Sequence, residues 1–332
     1  MSEQEPAERT AQGQGPGGPG ARPVARPAAL RERASVFSDE IDMDFRTACR
    51  TAAEAGLRYI DVRKVGGVFS HEIPRAGWPE LAGIMADHNL RLGAVQSNFG
   101  KCPISGPQYD EHVRFFPILV EQAHFFGTDV IRVFPFWNEV KFDPEALPPE
   151  GLRPNLLPAL PEIVRRFRPA ADLARREGVR LGFEPEHSTY SGSPQEVARI
   201  VEAVDNPHVG VAWDVNNGWD EATVDEAYAL FRGRVVNVHV KERVLSPEQR
   251  RVLARAGHPP RRQPALLGSG ALPWRAVIQT LERDGYRGLY SIETHFGSRG
   301  ALGWPKLRAG TTYYMYALRE LLEEAEDALG PA

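Results

Sequence analysis

From residue 34 to the C-terminus, short β-branched or apolar runs alternate with longer amphipathic stretches. This alternation is typical of a parallel sheet covered by helices. Eight candidate strands over roughly 300 residues favour a closed (β/α)8 TIM barrel, with an open doubly wound sheet as the alternative. The strands are predicted at Ser35–Phe37, Tyr59–Arg63, Arg91–Gln96, Val130–Phe134, Arg180–Glu184, Val209–Asp214, Val235–His239 and Leu289–Glu293.

The amphipathic stretches between these runs predict helices, and several of them have recognisable ends. Ser193 is a capping residue directly before Pro194, and proline suits the first helical turn. The segments "EAGL", "REGV" and "RDGY" place a glycine where a helix must end before the next strand begins. Helices are predicted at Asp44–Glu54, Pro158–Glu177, Pro194–Val204, Val224–Phe231, Pro273–Asp284 and Lys306–Glu326.

The first 33 residues differ in composition from the rest. Ten of residues 1–30 are Gly or Pro and large apolar side chains are nearly absent, so this segment cannot bury enough surface to offset its ordering entropy. We therefore predict a disordered tail over residues 1–33 and one barrel domain over residues 34–330. A formal GxGxxG match at Gly13, Gly15 and Gly18 has no strand before it and no helix after it, so its context does not support a dinucleotide site.

Composition narrows the class of protein. A net charge of −4 argues against a nucleic-acid partner, which usually requires a basic face. Two cysteines, Cys49 and Cys102, have no metal-ligand spacing and favour a reducing compartment over a disulfide framework. The N-terminus has no signal-peptide core, and no apolar run approaches the roughly 18 residues of a membrane span. The expectation is a cytoplasmic protein without a membrane partner.

One connection is longer than the others and runs from Lys241 to the turn at Gly268 and Gly270. It contains a polar stretch with helical character, Pro247–Ala256, followed by three prolines. Long loops on a compact domain usually serve as lids or partner surfaces.

Four predicted strands of the second half end at a residue with a metal-ligating side chain. The apolar runs stop at Glu184, Asp214, His239 and Glu293. The carboxyl ends of barrel strands converge on one face, where three carboxylates would repel one another unless a cation neutralised them. Carboxylates with one imidazole suit Mn²⁺ best, with Mg²⁺ or Co²⁺ as alternatives. A single acidic residue at a strand end is commonly a helix cap or a solvated loop residue, so the prediction depends on all four together.

Beyond these strand ends, the sequence resembles the xylose isomerase-like TIM barrel family of sugar phosphate isomerases and epimerases. The resemblance extends from about residue 34 to the C-terminal helix. It rests on the segments "GLRYIDVRKVGG", "IRVFPFW", "LGFEPEHSTYSG", "WDVNN", "NVHVKER", "LLGSGALPW" and "GYRGLYSIETHFG".

The resemblance implies a metal held by Glu184, Asp214, His239 and Glu293, the same set that the strand ends indicate. It also implies that Glu184 and Glu293 move protons, as their counterparts do in related epimerases. Two positions depart from the family pattern: Asn217 stands where many members have a substrate-contacting His, and Glu242 stands where others have Asp.

Further residues near the strand ends are candidate substrate contacts, and each has a structural alternative. Arg63 could bind a hydroxyl or carboxylate or form an internal ion pair, and Lys101 and Lys241 could be plain surface lysines. Phe134, Phe136 and Trp137 could form an aromatic wall for a sugar ring or pack in the core. The complete set of candidate substrate contacts is Arg63, Lys101, Trp137, Glu186, His187, Asn217, Lys241 and His295.

The leading functional hypothesis is a metal-dependent isomerase or epimerase whose partner is a small keto sugar. A metal that chelates a carbonyl and a neighbouring hydroxyl acidifies the C–H between them, and two carboxylates on opposite sides could transfer the proton. The alternative is a lyase or dehydratase that eliminates a group from a 3-keto glycoside by the same proton abstraction. A nuclease or a non-catalytic partner subunit fits less well, and a homo-oligomer stays open.

Overall fold

The computed structural model describes residues 29–143, 146–217, 223–244, 246, 248, 265–296 and 304–330. Most of the predicted tail, including the GxGxxG match, lies outside the described residues. The polar stretch Pro247–Ala256 also lies outside them, apart from Glu248.

Eight parallel strands form one sheet, which confirms the predicted barrel. They are β1 (Ala34–Val36), β2 (Tyr59–Val62), β3 (Arg91–Val95), β4 (Val130–Val133), β5 (Arg180–Phe183), β6 (Val209–Asp214), β7 (Val235–Val240) and β8 (Tyr290–Ile292). Strands β2 to β8 pair in chain order and β8 pairs with β1. A parallel bridge between Phe37 and Asp61 joins β1 to β2 and closes the ring. The predicted strands match these bounds to within a residue or two.

Helices follow the strands around the outside of the barrel. They are α1 (Phe45–Glu54), α2 (Trp78–Asp87), α3 (Pro107–Phe126), α4 (Leu156–Glu177), α5 (Pro194–Val204), α6 (Val224–Phe231), α7 (Trp274–Arg283) and α8 (Trp304–Leu329). The Ser193 hydroxyl accepts from Glu196 N at 3.1 Å, as predicted for a cap of α5. Gly127 and Gly178 end α3 and α4 with φ of 75° and 71°, the left-handed conformation that glycine adopts without strain. None of the helices in the described ranges has the length and apolar character to cross a bilayer.

The interior of the barrel is polar below the strand ends. Asp61 is fully buried and accepts from Ser35 Oγ at 2.7 Å and from Gln96 Nε2 at 2.9 Å. Gln96 Nε2 also donates to Asn237 Oδ1 at 3.1 Å, so the network crosses the barrel. The apolar core lies between the sheet and the helices, where side chains such as Ile131 and Phe167 are fully buried. The mouth of the barrel therefore rests on a hydrogen-bonded floor.

The segment Leu30–Arg33, which the sequence places in the tail, forms a 3-10 helix that packs on the barrel. Leu30 is buried in the core, and Arg33 is buried against α7. The Arg33 Nη1 atom lies 2.6 Å from Glu282 Oε2, and its Nε donates to Gly288 O at 2.9 Å.

Two truncations should therefore behave differently. Deletion of residues 1–28 is expected to shift the melting temperature by no more than about 1 °C, because a Gly- and Pro-rich segment makes few buried contacts. Deletion of residues 1–33 should lower it by about 4 °C or more, because Leu30 burial is lost and Glu282 loses a buried partner. Calorimetry on both proteins tests this, and equal melting temperatures would show that Leu30–Arg33 does not stabilise the barrel.

Candidate active site and metal centre

Glu184, Asp214, His239 and Glu293 come together at the C-terminal ends of β5 to β8. Each offers one ligand atom, and these atoms all lie within 4.8 Å of one another. All four residues are 3% exposed or less. His239 Nδ1 lies 3.7 Å from both Glu184 Oε1 and Glu293 Oε2, so this ring nitrogen faces the two carboxylates. The sequence-based prediction that these side chains converge is confirmed by the geometry.

This donor set fits a divalent cation. Both ring nitrogens of His239 are buried and accept or donate no hydrogen bond within the described residues, an arrangement that is costly unless a further ligand is bound. Five carboxylates at the mouth face three cationic side chains, which leaves two negative charges. The carboxylates are Asp39, Glu40, Glu184, Asp214 and Glu293, and the cations are Arg63, Arg132 and Lys241. A divalent ion would balance this excess.

The ligand carboxylates differ in pKa. Burial raises the pKa of Glu184, but Arg132 and His239 outweigh burial and bring it to about 2. Burial is likewise outweighed at Glu293, where Lys241, His295 and the arginines hold the pKa well below its usual range. At Asp214 burial has a larger effect than the charge of Lys241, and it raises the pKa of this carboxyl to about 6. Both Glu side chains are consequently ionised at neutral pH.

Arg63 connects the first and last strands of the site. It extends from the end of β2 and pairs with Asp39 through Nε, with Glu40 through Nη2 and with Glu293 through Nη1, each at 2.8 Å. The internal ion pair, which the sequence left as an alternative to substrate binding, therefore accounts for its contacts. Asp39 and Glu40 follow β1 and were missed, because they lie two and three residues beyond the predicted end of that strand at Phe37.

Arg132 is the principal site residue that the sequence analysis missed. It lies within β4, is 5% exposed, and places Nη1 2.9 Å from Glu184 Oε2 and 3.6 Å from Glu293 Oε1. Its Nε and Nη2 donate to the carbonyls of Ser97 and Gln96, both at 3.2 Å. The guanidinium also stacks 5.5 Å from the centre of the Phe37 ring, which Arg63 approaches to 5.1 Å. The signal in the sequence that could have identified it is a charged residue inside the otherwise apolar strand Val130–Val133.

Lys241 follows β7 two residues after His239, so both side chains point to the same face. Its Nζ atom lies 2.5 Å from Asp214 Oδ2 and 2.9 Å from Glu293 Oε2, and it donates to His295 Nε2 at 2.9 Å. The side chain is buried, which excludes the plain surface lysine that the sequence left open. Glu40, Glu293 and His295 form a second group with metal-ligand spacing. Arg63 pairs with Glu40 and Lys241 bonds to His295, so these two cations already neutralise this group.

The rim of the mouth carries most of the remaining candidates. Lys101 Nζ pairs with Glu186 Oε2 at 2.9 Å, and His187 stacks on Phe142 with ring centres 4.2 Å apart. Trp137 is 42% exposed and borders the opening. His295 is partly exposed above Glu293, and its φ of 56° is a left-handed conformation that residues other than glycine seldom adopt.

Two of the three aromatic residues after β4 pack in the core, which is the alternative that the sequence left open. Phe134 and Phe136 are fully buried, so of the three aromatic residues after β4 only Trp137 presents a ring to the opening. Phe134 instead lies under the charges of Arg132 and Lys101, 5.2 Å and 4.8 Å from its ring centre.

The two departures from the family pattern have different surroundings. Asn217 Nδ2 donates to Glu184 Oε1 at 3.3 Å and to Pro185 O at 2.8 Å, so its amide holds a ligand carboxylate. Glu242 turns away from the four ligands and accepts from the backbone N–H groups of Arg243 and Leu272, at 3.0 Å and 3.1 Å. Glu242 thus fixes the start of the long β7–α7 connection.

A buried ion pair fastens the loops beside Trp137 and His187. Arg153 Nη2 lies 2.7 Å from Glu196 Oε2, and both side chains are 3% exposed or less. Arg153 also donates to Val140 O at 3.0 Å and to Thr189 O. This contact joins the β4–α4 loop to the β5–α5 loop at the edge of the mouth.

The family model for xylose isomerase-like TIM barrels matches residues 49–313. No curated protein sequence matches this chain.

Solved structures share the fold at low sequence identity. A xylose isomerase-like TIM barrel protein from Mycobacterium smegmatis in complex with magnesium has a TM-score of 0.65 at 18% identity, over 89% of this chain and 100% of that one. The probable 3-DHS dehydratase AsbF from Bacillus anthracis has a TM-score of 0.63 at 15% identity, over 86% and 98% of the two chains. D-psicose 3-epimerase from Clostridium cellulolyticum H10 has a TM-score of 0.61 at 14% identity, over 90% and 100%.

Proposed function

Because this chain belongs to the xylose isomerase-like TIM barrel family, we propose that it is a divalent-metal-dependent isomerase or epimerase of a keto sugar or sugar derivative. The observation that carries the proposal is the convergence of three carboxylates and one imidazole within 4.8 Å, at a mouth with two excess negative charges. The free, buried Cys49 and Cys102 suit a reducing compartment, so we place the protein in the cytoplasm.

Mn²⁺ is the ion that we propose, with Mg²⁺ or Co²⁺ as alternatives. Carboxylate oxygens dominate the donor set, and a single imidazole nitrogen completes it. Oxygen ligands suit Mg²⁺ and Mn²⁺, whereas the imidazole favours a transition metal. The structure of the Mycobacterium smegmatis protein in complex with magnesium supports the proposal of a divalent ion in a barrel of this family.

Glu184 and Glu293 are the proposed proton-transfer residues. A bound divalent cation supplies a Lewis acid that polarises the substrate carbonyl and stabilises the charge that develops beside it. Both Glu side chains are ionised at neutral pH, as an acceptor of a proton must be. Arg132 Nη1 lies 2.9 Å from Glu184 Oε2 and 3.6 Å from Glu293 Oε1, so its charge offsets the repulsion between the two carboxylates. One carboxylate can then take the proton from one face of the carbon while the other returns it.

The residues at the rim are the proposed substrate contacts. Trp137 offers an exposed ring for the apolar face of a sugar, and Lys101, Glu186 and His187 offer polar groups beside it. His295 lies above Glu293 on the opposite side. Arg63, Asn217 and Lys241 contact the ligand carboxylates directly, so their proposed influence on the substrate passes through Glu184, Asp214 and Glu293.

Metal content is the first test of this function. The purified protein is expected to carry about one divalent ion per chain and to lose activity with a chelator. Asp214→Asn should weaken Mn²⁺ binding by more than roughly tenfold, because a ligand charge is removed from the set. Elemental analysis and calorimetric titration measure both quantities.

Asp87→Asn is the matched control for this experiment, since Asp87 pairs with Arg46 on the surface with 60% of its side chain exposed. The control should bind Mn²⁺ as the unchanged protein does. Equal affinity in Asp214→Asn would remove Asp214 from the metal site and leave the proposed centre without support.

The second candidate function is a lyase or dehydratase that acts on a 3-keto glycoside. The structural similarity to the probable dehydratase AsbF supports this candidate, because elimination begins with the same proton abstraction beside a carbonyl. Incubation with 3-keto glucosides distinguishes the two. Release of the aglycone would identify the lyase, and an epimerised or isomerised sugar with the glycosidic bond intact would identify the leading function.

A further inference from the structure

Lys241 is the only cation in the described part of the mouth that pairs with Asp214. Its Nζ atom lies 2.5 Å from Asp214 Oδ2 and 2.9 Å from Glu293 Oε2, and the lysine is 2% exposed. Both carboxylates belong to the group with metal-ligand spacing. The ammonium and a metal ion would consequently be held by the same two side chains.

The other two cations of the mouth are placed differently. Arg132 is anchored by the carbonyls of Gln96 and Ser97, which follow β3, and Arg63 is anchored by Asp39 and Glu40. Each guanidinium has partners outside the ligand set that fix its position. Within the described residues, the Lys241 ammonium has one hydrogen-bond partner outside the set, His295 Nε2 at 2.9 Å, which lies toward the opening.

We propose that Lys241 competes with the divalent metal for Asp214 and Glu293 and thereby sets the metal affinity of the site. The proposal rests on the metal centre of the proposed function. A second positive charge at the same carboxylates opposes metal binding by Coulomb repulsion and by occupying carboxylate oxygens. The same ammonium stabilises the chain before a metal binds, because it neutralises carboxylates that are buried.

The competition predicts that Lys241→Met binds Mn²⁺ more tightly. Methionine keeps the length and apolar stem of the side chain but has no charge. Chelator-treated protein is titrated with MnCl₂ at constant pH and followed by calorimetry. The affinity should rise about tenfold or more, equivalent to ~1.4 kcal/mol. A residue that merely supported the ligand geometry would give the opposite result, a weaker affinity in the variant.

Thermal unfolding supplies a second readout that does not depend on turnover. Without metal, Lys241→Met should melt several degrees below the unchanged protein, because Asp214 and Glu293 lose their counter-charge. Saturating Mn²⁺ should recover most of that loss, so the metal-induced rise in melting temperature is larger in the variant. If the variant folds only when Mn²⁺ is present, that result supports the competition as well.

Two controls separate charge from side-chain replacement. Lys241→Arg keeps the cation and should stay within about threefold of the unchanged affinity. Lys101→Met removes an ammonium whose ion pair is with Glu186 and not with any of the four candidate ligands, so it should change the affinity by less than about twofold.

The outcomes distinguish this inference from the proposed function. Equal or weaker Mn²⁺ binding by Lys241→Met, with normal binding by the unchanged protein, overturns the competition and leaves the metal centre intact. No Mn²⁺ binding by the unchanged protein, or none lost in Asp214→Asn, overturns the metal centre and the competition with it.

Discussion

Replacement of Glu184 or Glu293 by glutamine is expected to lower turnover by roughly 10²–10⁴-fold, the usual scale for loss of a general acid or base. Glutamine keeps the shape and one oxygen but cannot accept the proton. Neither carboxylate is expected to take over the role of the other, because the proposed mechanism uses one on each face of the substrate carbon. The measurement is steady-state turnover of whichever ketose from a panel the unchanged enzyme converts.

Heavy water distinguishes proton transfer from other ways to lose activity. If the two Glu side chains exchange a proton with the substrate, the reaction in D₂O should place deuterium on the carbon beside the carbonyl. One variant could still exchange the hydrogen of a single epimer without converting it, because one base acts on each face. A hydride shift would retain the substrate hydrogen, and product free of deuterium from an active enzyme would contradict the two-base mechanism.

Glu320→Gln is the matched control for these variants. Glu320 is exposed on α8 and belongs to neither group with metal-ligand spacing. Its replacement should leave turnover and deuterium incorporation unchanged. Metal content is measured in parallel, so that a variant with less bound ion is not mistaken for one that lacks only its base.

The largest effect on stability is expected from Arg153→Met, which should lower the free energy of unfolding by about 3–5 kcal/mol. The replacement leaves Glu196 as a buried charge without its cation, since Glu196 is fully buried and accepts from Arg153 Nε at 2.9 Å and Nη2 at 2.7 Å. It also removes the donors to Val140 O and Thr189 O. Urea unfolding at neutral pH gives the change directly.

Arg199→Met offers a matched comparison on helix α5, the helix that carries Glu196. Arg199 pairs with Glu202 at 2.8 Å, with 48% and 67% of the side chains exposed, so its loss should cost less than about 1 kcal/mol. A double variant, Arg153→Met with Glu196→Met, should recover part of the stability because no unpaired charge is left. Similar effects of Arg153→Met and Arg199→Met would show that burial of the first pair has no energetic consequence.

The barrel and the convergence of the four strand-end side chains could be predicted from sequence because both are encoded locally. Each of these side chains ends an apolar run, and the carboxyl ends of parallel strands meet at one face, so the pattern itself brings Glu184, Asp214, His239 and Glu293 together. The same logic gave the bounds of β6, α5 and α6 without error. Periodicity and capping residues are sufficient to predict the bounds of an element where it ends abruptly and the next element begins.

The balancing charges could not be predicted, because they depend on contacts between distant segments. Arg132 lies in the middle of β4, where a lone charge gives no indication of its partner. Asp39 and Glu40 follow a strand of only three residues and are joined to Glu293 by Arg63, across more than 200 positions of sequence. The helices α2 and α3 are also absent from the predicted elements.

The ring of strands separates the roles of its two halves. Strands β5 to β8 supply the four ligand side chains, whereas β1, β2 and β4 supply Arg63, Arg132 and the acidic pair that anchors Arg63. A partly folded chain with only its second half assembled would hold three crowded carboxylates with Lys241 as their sole counter-charge. The charge balance of the four side chains therefore depends on the closed ring, because Arg63 and Arg132 reach Glu184 and Glu293 only when the first half of the barrel is in place.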